Sequence, residues 1–125
     1  MALLGLATPA LADGNAANGG QIFQQCQACH SPDQGVNKFG PSLYRVVGRP
    51  AGTIPDYDYS PAMQAAHRKN LVWDEASILA YLEDPHHFLE TFDTQPGIAN
   101  KMPFKLADPQ QRQDVVAYLK SMAEK

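Results

Sequence analysis

The chain has 125 residues and a mass of 13.7 kDa, which is room for one domain. Its residues are 44% hydrophobic and 18% charged, a globular rather than a disordered composition. A formal charge of −3 excludes nucleic-acid binding through a basic surface, no apolar run is long enough to enter a membrane stably, and two cysteines are too few for a disulfide scaffold or a four-cysteine zinc site.

Residues 1–12 carry no charge and end in Ala10-Leu11-Ala12, small residues of the kind a signal peptidase accepts. The expectation is that they are the C-terminal part of a secretory signal peptide, with residues 13–125 as the mature domain. No Lys or Arg precedes the run, which points to a natural start upstream of Met1. A short apolar helix packed on the domain is the rival. Export would place the protein in the bacterial periplasm.

Four stretches read as helix. The first runs from Asn15, a cap candidate, to about Gln25. Directly after it comes Cys26-Gln27-Ala28-Cys29-His30. The spacing C-x-x-C-H is the c-type haem attachment signature. Two thiols add across the haem vinyl groups, and the adjacent histidine reaches the iron. A thioredoxin-like redox pair would need a βαβ context that the pattern lacks. A zinc site would need a fourth ligand, and a plain disulfide leaves His30 without a role.

Residues 31–59 are a long loop rich in Pro and Gly. Ser60-Pro61, a cap followed by proline at the first helical position, opens the second helix through Arg68. Asp74 caps the third, whose apolar stripe is Ile78, Leu79, Tyr81 and Leu82, and Pro85 stops it. His67, His86 and His87 read as surface residues. Residues 93–107 form a second loop. Within it lies Met102, either a thioether ligand for iron or apolar filler. Met63 and Met122 read as filler on helical faces. Asp108-Pro109 opens the last helix, with Val115, Val116, Tyr118, Leu119 and Met122 at helical spacing. No segment alternates convincingly as a strand. Loops this long in a small domain need something to order them, and a bound apolar cofactor serving as core would do so.

Several motifs recur together in order: Gly19-x-x-x-Phe23, the Cys26–His30 signature, Gly40-Pro41-x-Leu43, Gly48-Arg49, Tyr57-x-Tyr59-Ser60, Trp73, Tyr81-Leu82-x-x-Pro85, Lys101-Met102-Pro103-Phe104 and Val116-Ala117-Tyr118-Leu119. With them the chain resembles the class I c-type cytochromes, mitochondrial cytochrome c and its short soluble bacterial relatives. The resemblance implies an all-α fold of three to five helices around one covalent haem c, bonded through Cys26 and Cys29. It implies His30 and Met102 as axial ligands, with the Pro41 carbonyl holding the free nitrogen of His30. Arg49, Tyr59, Trp73 and Asn100 would hydrogen-bond the haem propionates. Tyr81 would approach the Met102 sulfur, and Phe104 would lie at the exposed haem edge. Gly19, Phe23, Tyr118 and Leu119 would form the crossing of the first and last helices.

The implied function is one-electron transfer between periplasmic redox proteins, without catalysis of its own, by a monomer. The rivals are a haem enzyme or gas sensor with a labile sixth ligand, and a dedicated electron-transfer subunit of a dehydrogenase. Charge departs from the mitochondrial pattern. Segment 74–93 holds Asp74, Glu75, Glu83, Asp84, Glu90 and Asp93 but no Lys or Arg, whereas Lys101 and Lys105 flank Met102. The expectation is a molecule whose haem-edge side is relatively positive, with partners docking near Lys101 and Lys105.

Overall fold

The computed structural model describes residues 13–124; the expected signal segment lies outside them. Asn15 caps α1 (Ala16–Phe23) by accepting from the Asn18 N–H. The helix stops two residues short of the expected Gln25. There Gln24, Gln25 and Cys26 each donate to the carbonyl three residues back, a tighter winding than α. Ser60 accepts from the Met63 N–H and starts α2 (Pro61–Arg68). Asp74 accepts from the Ser77 N–H and starts α3 (Glu75–Glu83).

Pro85 does end α3, but it also opens a helix the sequence pattern did not announce, α4 (Pro85–Asp93). Asp84 is the C-cap of one and the N-cap of the other, with extended backbone between the two axes. Its carboxylate accepts from the His87 N–H. Proline fits the first turn because its missing N–H would have no helical partner there. Within α4, His86 is half-buried and His87 is exposed. Asp108 accepts from the Gln110 and Gln111 N–H groups and starts α5 (Pro109–Ala123).

The main crossing joins the two ends of the chain. Gly19 of α1 lies against the backbone of α5: a Cβ on it would stand 1.9 Å from the Asp114 carbonyl oxygen. Phe23 is buried and its ring centre lies 5.2 Å from that of Tyr118. The buried Asp114 carboxylate accepts from the Asn15 N–H at 2.8 Å and so ties the start of α1 to α5. Helix α3 packs on α4 and α5, and α2 packs on α4. Among the described residues the extended backbone amounts to one isolated bridge, Pro50 with Val72.

Three sets of backbone hydrogen bonds fix the loops. Gly40 N–H donates to Cys29 and Leu43 N–H to Ser31, folding the first loop back over the cysteine turn. Gly48 N–H donates to Trp73, Trp73 N–H to Arg49 and Ala51 N–H to Leu71, which sets Arg49 beside Trp73. Ala62 N–H donates to Ala99 and Leu106 N–H to Leu82, suspending residues 99–106 between α2 and α3. Arg112, buried on α5, adds two guanidinium bonds to the Leu106 and Ala107 carbonyls at 2.6 and 2.9 Å.

Candidate cofactor site

These tethers enclose a cavity of about 1300 Å³, open at its mouth. Every residue expected to touch the cofactor lines it. Cys26, Cys29 and His30 come from the turn after α1, and Pro41 and Arg49 from the first loop. Tyr59 precedes α2, Trp73 precedes α3, Tyr81 belongs to α3, and Asn100, Met102 and Phe104 come from the suspended segment. Phe23, Leu43, Ile78, Leu82, Val115 and Leu119 complete an apolar wall.

Cys26 and Cys29 are not joined to each other. Burial, with Cys29 beside it, pushes the Cys26 thiol up to about 11. Among the described residues no three His, Cys, Asp or Glu side chains are grouped to hold a metal ion, which removes the zinc reading. His30 Nδ1 donates to the Pro41 carbonyl at 2.8 Å, so Nε2 is the nitrogen left to bind a metal. Burial lowers the His30 pKa, as do the Arg49 and Lys38 charges more weakly, while the Pro41 bond opposes them. The net effect favours the neutral imidazole, the form that can ligate. Gly40 is required here, since a Cβ on it would stand 2.4 Å from the His30 ring.

The cavity's polar groups are donors without acceptors. Arg49 is half-buried; one guanidinium nitrogen donates to the Tyr44 carbonyl at 3.0 Å, and no carboxylate pairs with it among the described residues. The Trp73 indole N–H likewise has no partner there. Asn100 Nδ2 is buried and unbonded, while its Oδ1 lies 3.5 Å from the Ser60 hydroxyl. Tyr59 already accepts from the Ile54 N–H. Burial pushes the Tyr81 hydroxyl up to about 12; Asn100 lies near enough to offset part of that rise, yet makes no hydrogen bond to it. The Tyr81 ring packs edge-on against Trp73 at 4.9 Å and Phe88 at 5.8 Å.

A large apolar cavity, two thiols and an imidazole on its wall, and cationic or N–H donors lacking acceptors fit a flat apolar macrocycle that carries carboxylates. The fit to haem c is thus in the chain's own chemistry.

The sequence pattern missed Met63. It sits on the cavity wall with Met102, on the inward side of α2. Its place three residues after the Ser60 cap was the available signal. Arg112 was missed as well, since a single arginine among helical polar residues carries no mark of burial. The charge asymmetry is smaller than expected. Lys101 donates to the Asp58 backbone carbonyl and stands 4.0 Å from its carboxylate, and Lys105 pairs with Asp84 at 3.3 Å. Asp93 is not a surface acid at all, being 1% exposed.

Comparison with known proteins bears on the whole described domain. The cytochrome c family profile matches residues 16–123. A cytochrome c2 of Rhodopseudomonas palustris is 47% identical over 114 residues, covering 86% of this chain and 98% of the relative. The structure of cytochrome c2 from Rhodospirillum centenum superposes with a TM-score of 0.82 at 42% identity, covering 87% of this chain and 98% of that one. Ferric cytochrome c-550 from Paracoccus versutus superposes with a TM-score of 0.79 at 32% identity, covering 89% and 99%. The motif, the cavity and the likeness agree: the chain belongs to the cytochrome c family and is an electron-transfer protein with covalently bound haem c.

Proposed function

We propose that His30 and Met102 take the two axial positions of the haem iron, and that the protein shuttles single electrons between periplasmic redox partners as a monomer. The bound haem supplies the one-electron chemistry. The residues of this chain supply the rest. His30 presents a neutral imidazole whose orientation the Pro41 carbonyl holds. Met102 offers a soft thioether, which favours reduced iron and raises the potential. Arg49, Trp73, Tyr59 and Asn100 offer the donors that buried carboxylates require. The apolar wall keeps water from the redox centre.

The observation that carries this reading is that His30 and Met102 line the same cavity as the two thiols, from separate segments each tethered by its own backbone bonds. Two protein ligands leave no position for a substrate, which disfavours the enzyme and gas-sensor readings. Docking at the cavity mouth, beside Lys101 and Lys105, would bring partners to the edge nearest Phe104. Residues 1–12 are read as a signal segment directing export to the periplasm.

Carbon monoxide tests the ligand set. The reduced parent protein should bind it slowly at neutral pH, and Met102→Ala should bind it rapidly. Rapid binding by the parent, or an unchanged ferric spectrum in the variant, would sink the assignment.

A further inference from the structure

Among the described residues only three large apolar side chains are exposed: Val36, Phe39 and Val72. Phe39 is the most exposed, at 62%, and it also lines the cavity. It is therefore a rim residue, with one face toward the cavity and the other toward solvent. Val36 lies three residues before it in the same loop and is 41% exposed.

The loop that presents this pair is held in place. The Tyr57 hydroxyl donates to the Phe39 carbonyl at 2.6 Å. Lys38 N–H donates to the Gly40 carbonyl and Gly40 N–H to the Cys29 carbonyl, one on each side of Phe39. Asn37 Nδ2 donates to the Pro55 carbonyl at 3.2 Å. An aromatic ring on a backbone fixed this way loses little freedom when a partner covers it.

The cations around the mouth are engaged within the chain. Lys38 donates to the Gln27 carbonyl at 2.8 Å, Lys101 is held by Asp58 and lies 5.0 Å over the Tyr57 ring, and Lys105 pairs with Asp84. Against these three lysines stand Asp33, Asp56, Asp58 and Asp84. A rim so nearly balanced steers weakly at a distance, so short-range apolar contact must supply the affinity.

We propose that Phe39, with Val36, is the apolar anchor by which a redox-partner protein docks, and that the partner offers an apolar contact face of small net charge. The proposal rests on the electron-carrier reading and names the recognition element of that same site. Each encounter moves one electron and no atom or proton: the carrier is oxidised by one electron and the partner reduced by one, or the reverse. A partner seated on Phe39 is seated at the cavity mouth, so recognition and the electron path coincide.

The test uses the haem-loaded protein. Parent, Phe39→Ala and Phe39→Leu are reduced, and their oxidation is followed with two probes, ferricyanide and respiratory membranes of the source bacterium. The ferricyanide rates should agree within about twofold. With membranes, Phe39→Ala should be slower by about tenfold at low and at high salt, and Phe39→Leu should recover most of the loss. Membrane rates for Phe39→Ala within about twofold of the parent, or a deficit confined to low salt, would overturn the anchor. So would a parent that sediments as a dimer while Phe39→Ala sediments as a monomer, because the face would then belong to a second copy. A parent oxidised by neither probe would overturn the carrier reading itself.

Discussion

Asp93 combines burial with an absence of partners. Its carboxylate oxygens are both shielded and unbonded, and it is the last residue of α4, where the helix dipole is negative. The Lys69 ammonium is close, but it donates to the Asp93 backbone carbonyl and the Thr94 hydroxyl instead, at 2.6 and 3.1 Å. Burial raises the Asp93 pKa above the usual carboxylate range, and the charges of Lys69 and Arg68 only partly oppose this. The folded protein therefore holds this proton more tightly than the unfolded chain. Its stabilising contribution is complete below the ordinary carboxylate pKa of about 4, and it is lost as pH rises through the elevated folded value. Asp93→Asn escapes that loss. Its melting temperature should exceed the parent's at pH 7 by a few degrees, on the order of 1 kcal/mol, and the two should converge near pH 4. A variant less stable than the parent at pH 7 would refute the account. At this scale the sequence was uneven. His30 announced itself through its spacing to two cysteines. Asp93 did not, because an acid in an acid-rich stretch looks solvated until a second helix is placed over it.

The α1–α5 crossing depends on the absence of a side chain at Gly19. A methyl there would overlap the Asp114 carbonyl and crowd Tyr118 Cβ, whose distance would be 2.9 Å. Backbone cannot rotate aside as a side chain can, so the helices must part and the Phe23–Tyr118 contact must loosen. Gly19→Ala should cost about 2–4 kcal/mol despite its better helix propensity. Chemical denaturation of the haem-loaded variant measures it, and a loss below about 1 kcal/mol would mean that the crossing relaxes freely. Four of the five helices could be read from cap residues, because Asn15, Ser60, Asp74 and Asp108 each begin a helix and each accepts the hydrogen bonds that such a residue offers. The fifth was hidden by Pro85. The same residue type both ends one helix and begins another, and only the Asp84 carboxylate on the His87 N–H separates the two meanings.

At the scale of the whole molecule, the polypeptide surrounds a space it does not fill. Thirty per cent more helix would not close it; the wall residues face one another across the cavity, and the loops rest on that wall. A Cys26→Ser, Cys29→Ser double variant, which cannot form the thioether bonds, should therefore lack a cooperative thermal transition and show weak near-ultraviolet circular dichroism. A sharp transition in that variant would show that the helices suffice. The need for a cofactor was legible in the long loops at 31–59 and 93–107. Its exact cradle was not, because the tethers from Cys29, Trp73 and Leu82 run between backbones and leave no imprint on residue type.

The clasp between Asn15 and Asp114 has a kinetic consequence. An eight-residue helix is not stable alone in water, so α1 cannot persist until α5 is available to receive it. The two sit at opposite ends of the domain, and their meeting closes a loop of nearly the whole chain, a slow event by its entropy. Cys26 and Cys29 follow α1 directly and share its fate. Until the last residues arrive, both thiols lie on a stretch that has not yet closed. Haem attachment thus has a time window, which opens when the cysteines emerge and shuts when the ends of the chain meet.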